Sequence, residues 1–142
     1  MARIKPPETA FRPGKQTRRV ERKDHLMFIR QLPCVSCQTM RGVQAAHLST
    51  FNDNAGHYGR GKGSKASDRW TLPLCEGCHT YQHKIGEEKF WERIGDPWIM
   101  ALVLFGIHID ADALGDTAFS QPFAEELIKR RKLYGMGERF LP

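Results

Sequence analysis

At 142 residues the chain has room for one ordinary domain with an extension and too few for two well-cored domains, and a hydrophobic share of 40% excludes wholesale disorder or a fibrous repeat. No apolar run approaches the twenty or so residues that a membrane span needs; the longest, residues 98–107, is about half that and contains Gly106, so no membrane segment is expected. The net charge of +6 is concentrated at one end, where residues 1–24 hold eight bases against three acids.

That first segment carries Pro6, Pro7, Pro13 and Gly14 and almost no apolar periodicity. It buries too little to offset its own ordering entropy and is expected to be a flexible, disordered basic arm. Arg18 and Arg19 are its candidate DNA contacts, acting through counterion release along a polyphosphate; a merely solubilising terminus is the alternative. The segment is charged where an export signal would be apolar, which points to a cytoplasmic protein.

Asp24 is expected to cap a short helix over residues 25–30, which delivers the chain to Cys34 and Cys37. A second pair, Cys75 and Cys78, follows after 37 intervening residues, and no cysteine is left over. In a reducing compartment two such thiolate pairs supply the four soft ligands of a tetrahedral structural zinc. A redox role for the pairs is the rival, but neither sits in a thioredoxin-like strand-to-helix unit. Pro33 and Gly77 suit the tight turns of zinc knuckles.

Residues 43–48 read as a strand that ends near His47. Residues 49–67 read as a long loop rich in glycine and asparagine, and Arg60, Lys62 and Lys65 on it, with Arg69 just beyond, are the candidate phosphate contacts. Residues 69–74 read as a second short strand limited by Pro73. A helix from Glu76 to about Lys84 follows, broken at Gly86 before a further helical stretch to Ile94. Asp96 and Pro97 start an apolar helix over residues 98–107, and Phe90, Trp91, Trp98, Ile99, Leu102 and Phe105 are expected in the core. The last predicted helix spans residues 122–134, with Phe123 and Leu127 inward, Ile128 and Leu133 as further inward candidates, and the bases at 129–132 near its C-terminal end.

His79 and His83 stand four apart on the predicted helix and so share a face, where two imidazoles can bind one metal. His47, on the strand, is then free to take a proton from water. His25 and His108 lie outside this constellation and receive no role.

The pattern of Cys34 and Cys37, a strand ending in His47, then Pro73-Leu74-Cys75-Glu76-Gly77-Cys78-His79 resembles the HNH, or ββα-metal, endonucleases over roughly residues 34–90. The segment from Gly61 to Cys75 with His79 and His83 looks like a phage and prophage group akin to the Ref-type recombination-enhancement nucleases. The resemblance implies an α+β chain in three parts: the arm at 1–24, a zinc-stapled HNH catalytic unit at 25–94 and a helical appendage at 95–142. It also implies metal-dependent hydrolysis of DNA phosphodiester bonds in a bacterial host, with a recombinase filament as the partner it suggests.

In that scheme His47 matches the general base and His79 the catalytic-metal ligand, while His83 matches a second ligand of colicin-type relatives. This sequence departs from the family at two positions. Ala46 stands where many members carry a further ligand, which water, a substrate phosphate or His57 could replace. The family's middle asparagine falls near Trp70, and Asp68 is the nearest polar residue that could orient the base. Beside the structural Zn²⁺ one catalytic divalent ion is implied, Mn²⁺, Ni²⁺, Mg²⁺ or Zn²⁺, and imidazole donors favour Mn²⁺ or Ni²⁺ over Mg²⁺. Activity is expected to fall below about pH 6, where an ordinary imidazole becomes protonated. A zinc-ribbon nucleic-acid-binding module without catalysis is the alternative function.

Overall fold

The first described helix, α1 (Lys23–Arg30), forms where Asp24 favours the helix N-terminus and where His25, Phe28 and Ile29 make one buried side. The computed structural model describes residues 21–49 and 67–133. The expectations for Arg18 and Arg19 on the arm, and for His57, Arg60, Lys62 and Lys65 on the glycine-rich loop, lie outside the described residues. The helix starts at Lys23, inside the stretch expected to be arm, and Asp24 is in its first turn rather than at its cap.

β1 (Val43–His47) and β2 (Thr71–Cys75) form a two-stranded antiparallel sheet in which His47 pairs with Thr71 and Ala45 with Pro73. The carbonyl of Pro73 accepts the Val35 N–H at 3.0 Å, so this edge of the residue faces the cysteine knuckle. The missing proline donor therefore falls at a pair that makes no ladder bond, and pairing continues past it. Regular strand starts at Thr71 rather than at Arg69, although the Leu48 N–H still reaches the Trp70 carbonyl at 2.8 Å.

A lone hairpin is marginal in water. This one is held because Leu72 and Leu74 are fully buried in a single core with Ile29, Leu32, Met100 and Leu104. Each such side chain contributes about 1.5–3 kcal/mol through burial. The chain turns directly from β2 into α2 (Glu76–Ile85), and α3 (Glu87–Trp91) follows Gly86, whose φ of 96° breaks the helix as its sequence position suggests. The described part of the chain is thus a small α+β fold with one two-stranded sheet and five helices.

α4 (Pro97–Leu114) starts as expected, with Asp96 accepting the Trp98 and Ile99 N–H groups at 3.0 and 3.2 Å. It runs seven residues beyond the expected end at Ile107, because the buried row of Met100 and Leu104 continues through His108 and Ala111 and no breaker stands before Gly115. At 18 residues and a mean hydropathy of 1.4 it is long and apolar enough, by those measures alone, to cross a membrane. Its buried side, Met100, Ala101, Leu104 and Ala111, belongs here to the packed interior. Gly115, at φ 70°, ends α4, with its N–H on the Asp112 carbonyl and the Asp116 N–H on that of Ala111. A Cβ would meet nothing there, so Gly115→Ala tests conformation alone. We expect it to lower unfolding free energy by about 1 kcal/mol in urea titrations.

α5 (Thr117–Lys129) corrects the last predicted helix at both ends. Proline suggested a first turn at Pro122, yet Pro122 lies inside the helix on an exposed position. Phe123 is 41% exposed rather than inward, and stacks on exposed Phe119 with ring centroids 5.1 Å apart. The inward row is Ser120, Ala124 and Ile128, whose first two small side chains permit close approach to α4. Phe90 and Trp91 are buried as expected, whereas Trp98, Ile99, Leu102 and Phe105, expected in the core with them, are only half-buried.

His25 and His108, unassigned from the sequence, form a buried pair between α1 and α4, Nδ1 to Nδ1 at 2.9 Å with nearly parallel rings. Burial, with His108 and Arg22 nearby, pushes His25 down to about 4 from an ordinary 6.5. Between those values the unfolded chain binds the extra proton, so stability is present above pH 6.5 and falls as the pH drops towards 4. The loss is up to about 3 kcal/mol. Urea midpoints measured from pH 7 to 4 should fall more steeply for the wild type than for His25→Leu; equal slopes would contradict this.

Candidate metal centre and histidine site

The two cysteine pairs meet as their spacing suggests. The ligand atoms of Cys34, Cys37, Cys75 and Cys78 lie within 4.8 Å of one another, and all four thiols are free. The Cys37 and Cys75 sulfurs are 3.6 Å apart. A tetrahedral zinc with Zn–S bonds of about 2.3 Å has edges of about 3.8 Å, so the cluster could hold a structural metal such as zinc.

The first pair sits in a tight turn closed by the Cys34 N–H on the Thr39 carbonyl at 2.9 Å and the Gln38 N–H on the Cys34 carbonyl at 2.8 Å. The strained position in this turn is Gln38, at φ 65°. Gly77, expected to serve a turn, is instead in the first turn of α2, because Cys75 is the N-cap and its sulfur accepts the Cys78 N–H at 3.4 Å. The Gln38 amide donates to the carbonyls of Ile128 and Lys129, both at 3.2 Å, so the knuckle also clasps the end of α5. Burial pushes the Cys34 and Cys78 thiols up. At Cys75 burial is outweighed by hydrogen bonds from Cys78 and neighbouring thiols, and the pKa falls. A cation would displace protons from the raised thiols on binding.

The sheet register brings His47 to the end of the hairpin beside the turn that carries Asp68. His47 Nε2 lies 2.8 Å from Asp68 Oδ1, and Asp68 is buried, 2% exposed. The other carboxylate oxygen accepts the Arg22 backbone N–H at 2.6 Å, and the Asp68 carbonyl accepts the Thr71 hydroxyl at 2.7 Å. Asp68 is therefore fixed by three elements, and an Nε2–H donated to its carboxylate leaves Nδ1 of His47 with the free lone pair. Just beyond, Glu87 at the start of α3 accepts the Ser49 N–H at 3.0 Å and its hydroxyl at 2.8 Å, which anchors the chain after His47.

On α2 the Nε2 atoms of His79 and His83 are 3.2 Å apart. Two nitrogens each about 2.0–2.1 Å from one ion at near-tetrahedral or octahedral angles are separated by about 3 Å, so this spacing fits a shared cation. His79 Nδ1 lies 2.7 Å from the Gln44 side-chain oxygen. Donation of Nδ1–H to Gln44 keeps Nε2 unprotonated for a ligand. Burial, with His83 and His47 close enough to add repulsion, lowers the His79 pKa, which also favours the neutral ring. Ala46 is 1% exposed in the core and offers no donor. Among the described residues the cysteines form the group of three or more potential metal ligands, whereas His79 and His83 form a pair.

Arg69, a candidate phosphate contact, holds its guanidinium over the neighbouring Trp70 ring, 4.8 Å from its centroid. Gln44, Glu87 and Gln38 were missed by sequence reasoning, since polar residues in or beside a strand carry no local sign of a partner far along the chain.

Comparisons with curated proteins and with solved structures find no match. Residues 3–106 match the family described as protein of unknown function, DUF968. The matched stretch contains both cysteine pairs, the hairpin with His47 and Asp68, and the helix with His79 and His83, and by that match the chain belongs to the DUF968 family.

Proposed function

We propose that the chain is a metal-dependent endonuclease that hydrolyses DNA phosphodiester bonds, with β1, β2 and α2 acting as an HNH-type ββα-metal unit. The observation that carries this reading is the carboxylate-backed imidazole of His47 and Asp68 on a hairpin whose following helix presents the paired nitrogens of His79 and His83.

A phosphodiester repels anionic nucleophiles and gains charge on its oxygens in the transition state. A divalent cation held by His79 and His83 would supply positive charge at the non-bridging and leaving oxygens. His47 takes the proton of the attacking water through Nδ1, and Asp68 fixes the tautomer and balances the imidazolium that results. Gln44 sets the orientation of His79. The phage, recombination and bacterial-cytoplasm setting, with a recombinase filament as partner, belongs to the same proposal and rests on the resemblance of the motifs.

The competing reading is a zinc-ribbon nucleic-acid-binding module without catalysis, and buried Ala46 favours it by leaving the second cation with two described protein ligands. Plasmid nicking separates the two. Supercoiled DNA should relax or linearise with added Mn²⁺ or Ni²⁺ and less with Mg²⁺, and His79→Ala combined with His83→Ala should abolish the effect. A wild-type protein that binds DNA and never nicks it under any of these ions overturns the proposal.

A further inference from the structure

A cavity of about 440 Å³ opens between α2, α3, the first cysteine knuckle and the residues just past α5. Its α2 wall is Cys78, Tyr81 and Ile85, a row turned roughly 150° about the helix axis from His79 and His83. The cavity is therefore separate from the histidine site, and its size is that of a small-ligand pocket.

Its lining combines two chemistries. Phe90 and Ile94, 6% and 5% exposed, make an apolar floor, and Tyr81, 53% exposed, stands edge-on to Phe90 with centroids 6.3 Å apart. Lys89, Arg93 and Arg131 contribute three cations against one carboxylate, Glu92. An inorganic anion would use the cations and leave the ring and floor in water, whereas an apolar molecule would leave the cations unused. A planar base with flanking phosphates uses both, which is how single strands are held without sequence readout.

We propose that this pocket binds one unpaired nucleotide of a single-stranded nucleic acid, with the base against Tyr81 and the apolar floor and the phosphates along Lys89, Arg93 and Arg131. The proposal rests on the nucleic-acid reading of the chain. It gives a DNA-processing enzyme a grip on a displaced strand or flap beside its zinc clasp.

The test is fluorescence anisotropy of full-length, zinc-loaded protein with labelled oligodeoxythymidine, no other divalent ion being added. Tyr81→Ala should weaken binding by about tenfold, and Tyr81→Phe should restore it. Lys89→Ala combined with Arg93→Ala should flatten the slope of log K against log salt by about 1.4, roughly 0.7 for each single-strand phosphate that is no longer neutralised. All three residues are exposed, so zinc content and helicity should be unchanged. Wild-type affinity in Tyr81→Ala, Tyr81→Phe as weak as Tyr81→Ala, or an unaltered salt slope in the double variant would each overturn the pocket. The readout does not depend on cleavage: a protein that fails to nick but binds through Tyr81 refutes the nuclease and keeps the pocket, and nicking with unaffected pocket variants does the reverse.

Discussion

Stripping zinc from a loaded four-cysteine cluster is expected to unfold the chain rather than merely loosen it. The cluster joins the first knuckle to the junction of β2 and α2, and the same knuckle holds α5 through Gln38 and β2 through the Val35–Pro73 bond. Structural zinc contributes about 10–16 kcal/mol in small zinc domains, which matches or exceeds the 5–15 kcal/mol net stability of a typical domain. Purified protein should contain one zinc per chain, and a strong chelator or Cys34→Ser should abolish its cooperative thermal transition. Acidification should weaken the clasp, in wild type and His25→Leu alike, because protons compete for the Cys34 and Cys78 sulfurs, whose affinity for protons burial has raised. A chelated protein that melts within a few degrees of the untreated one would show that the cysteines are not a metal clasp.

Asp68→Asn is expected to cut single-turnover nicking by about 10²-fold, within the range lost when general acid–base catalysis is impaired. The amide can present its NH₂ to His47 Nε2, which moves the imidazole proton to Nδ1, the atom that accepts the proton of water in the proposed mechanism. It also removes the charge that stabilises the imidazolium. The variant keeps an oxygen for the Arg22 N–H, so the destabilisation should stay near 1–3 kcal/mol. A purely structural Asp68 would move only the stability. The distinguishing readout is the rate at saturating Mn²⁺ and DNA with Mn²⁺ affinity unchanged, and a wild-type rate there would remove Asp68 from the base.

Much of the candidate site was legible because its chemistry is local. A CxxC pair, two histidines one helical turn apart and an Asp-Pro helix start each act within a few residues, and each lies where the pattern suggests. The nearest polar residue to the expected asparagine, Asp68, does meet His47, since the hairpin register sets Thr71 opposite His47 and the turn just before it brings Asp68 alongside. What was not legible depends on partners distant in the chain. Gln44 meets His79 35 positions away, and His25 meets His108 83 positions away. Phe123 misled because hydrophobicity alone does not say which face of a helix packs: the inward face of α5 is chosen by the small residues that let it approach α4, and the aromatics stack on each other outside.

The most direct test of the account compares wild type with His47→Ala on one supercoiled plasmid with Mn²⁺, at protein concentrations giving equal DNA occupancy and equal zinc content. The account predicts that wild type converts the plasmid to nicked or linear form while His47→Ala, bound as tightly, is slower by about 10²-fold or more, on the order expected for loss of a general base. Equal cleavage by the two proteins would contradict it.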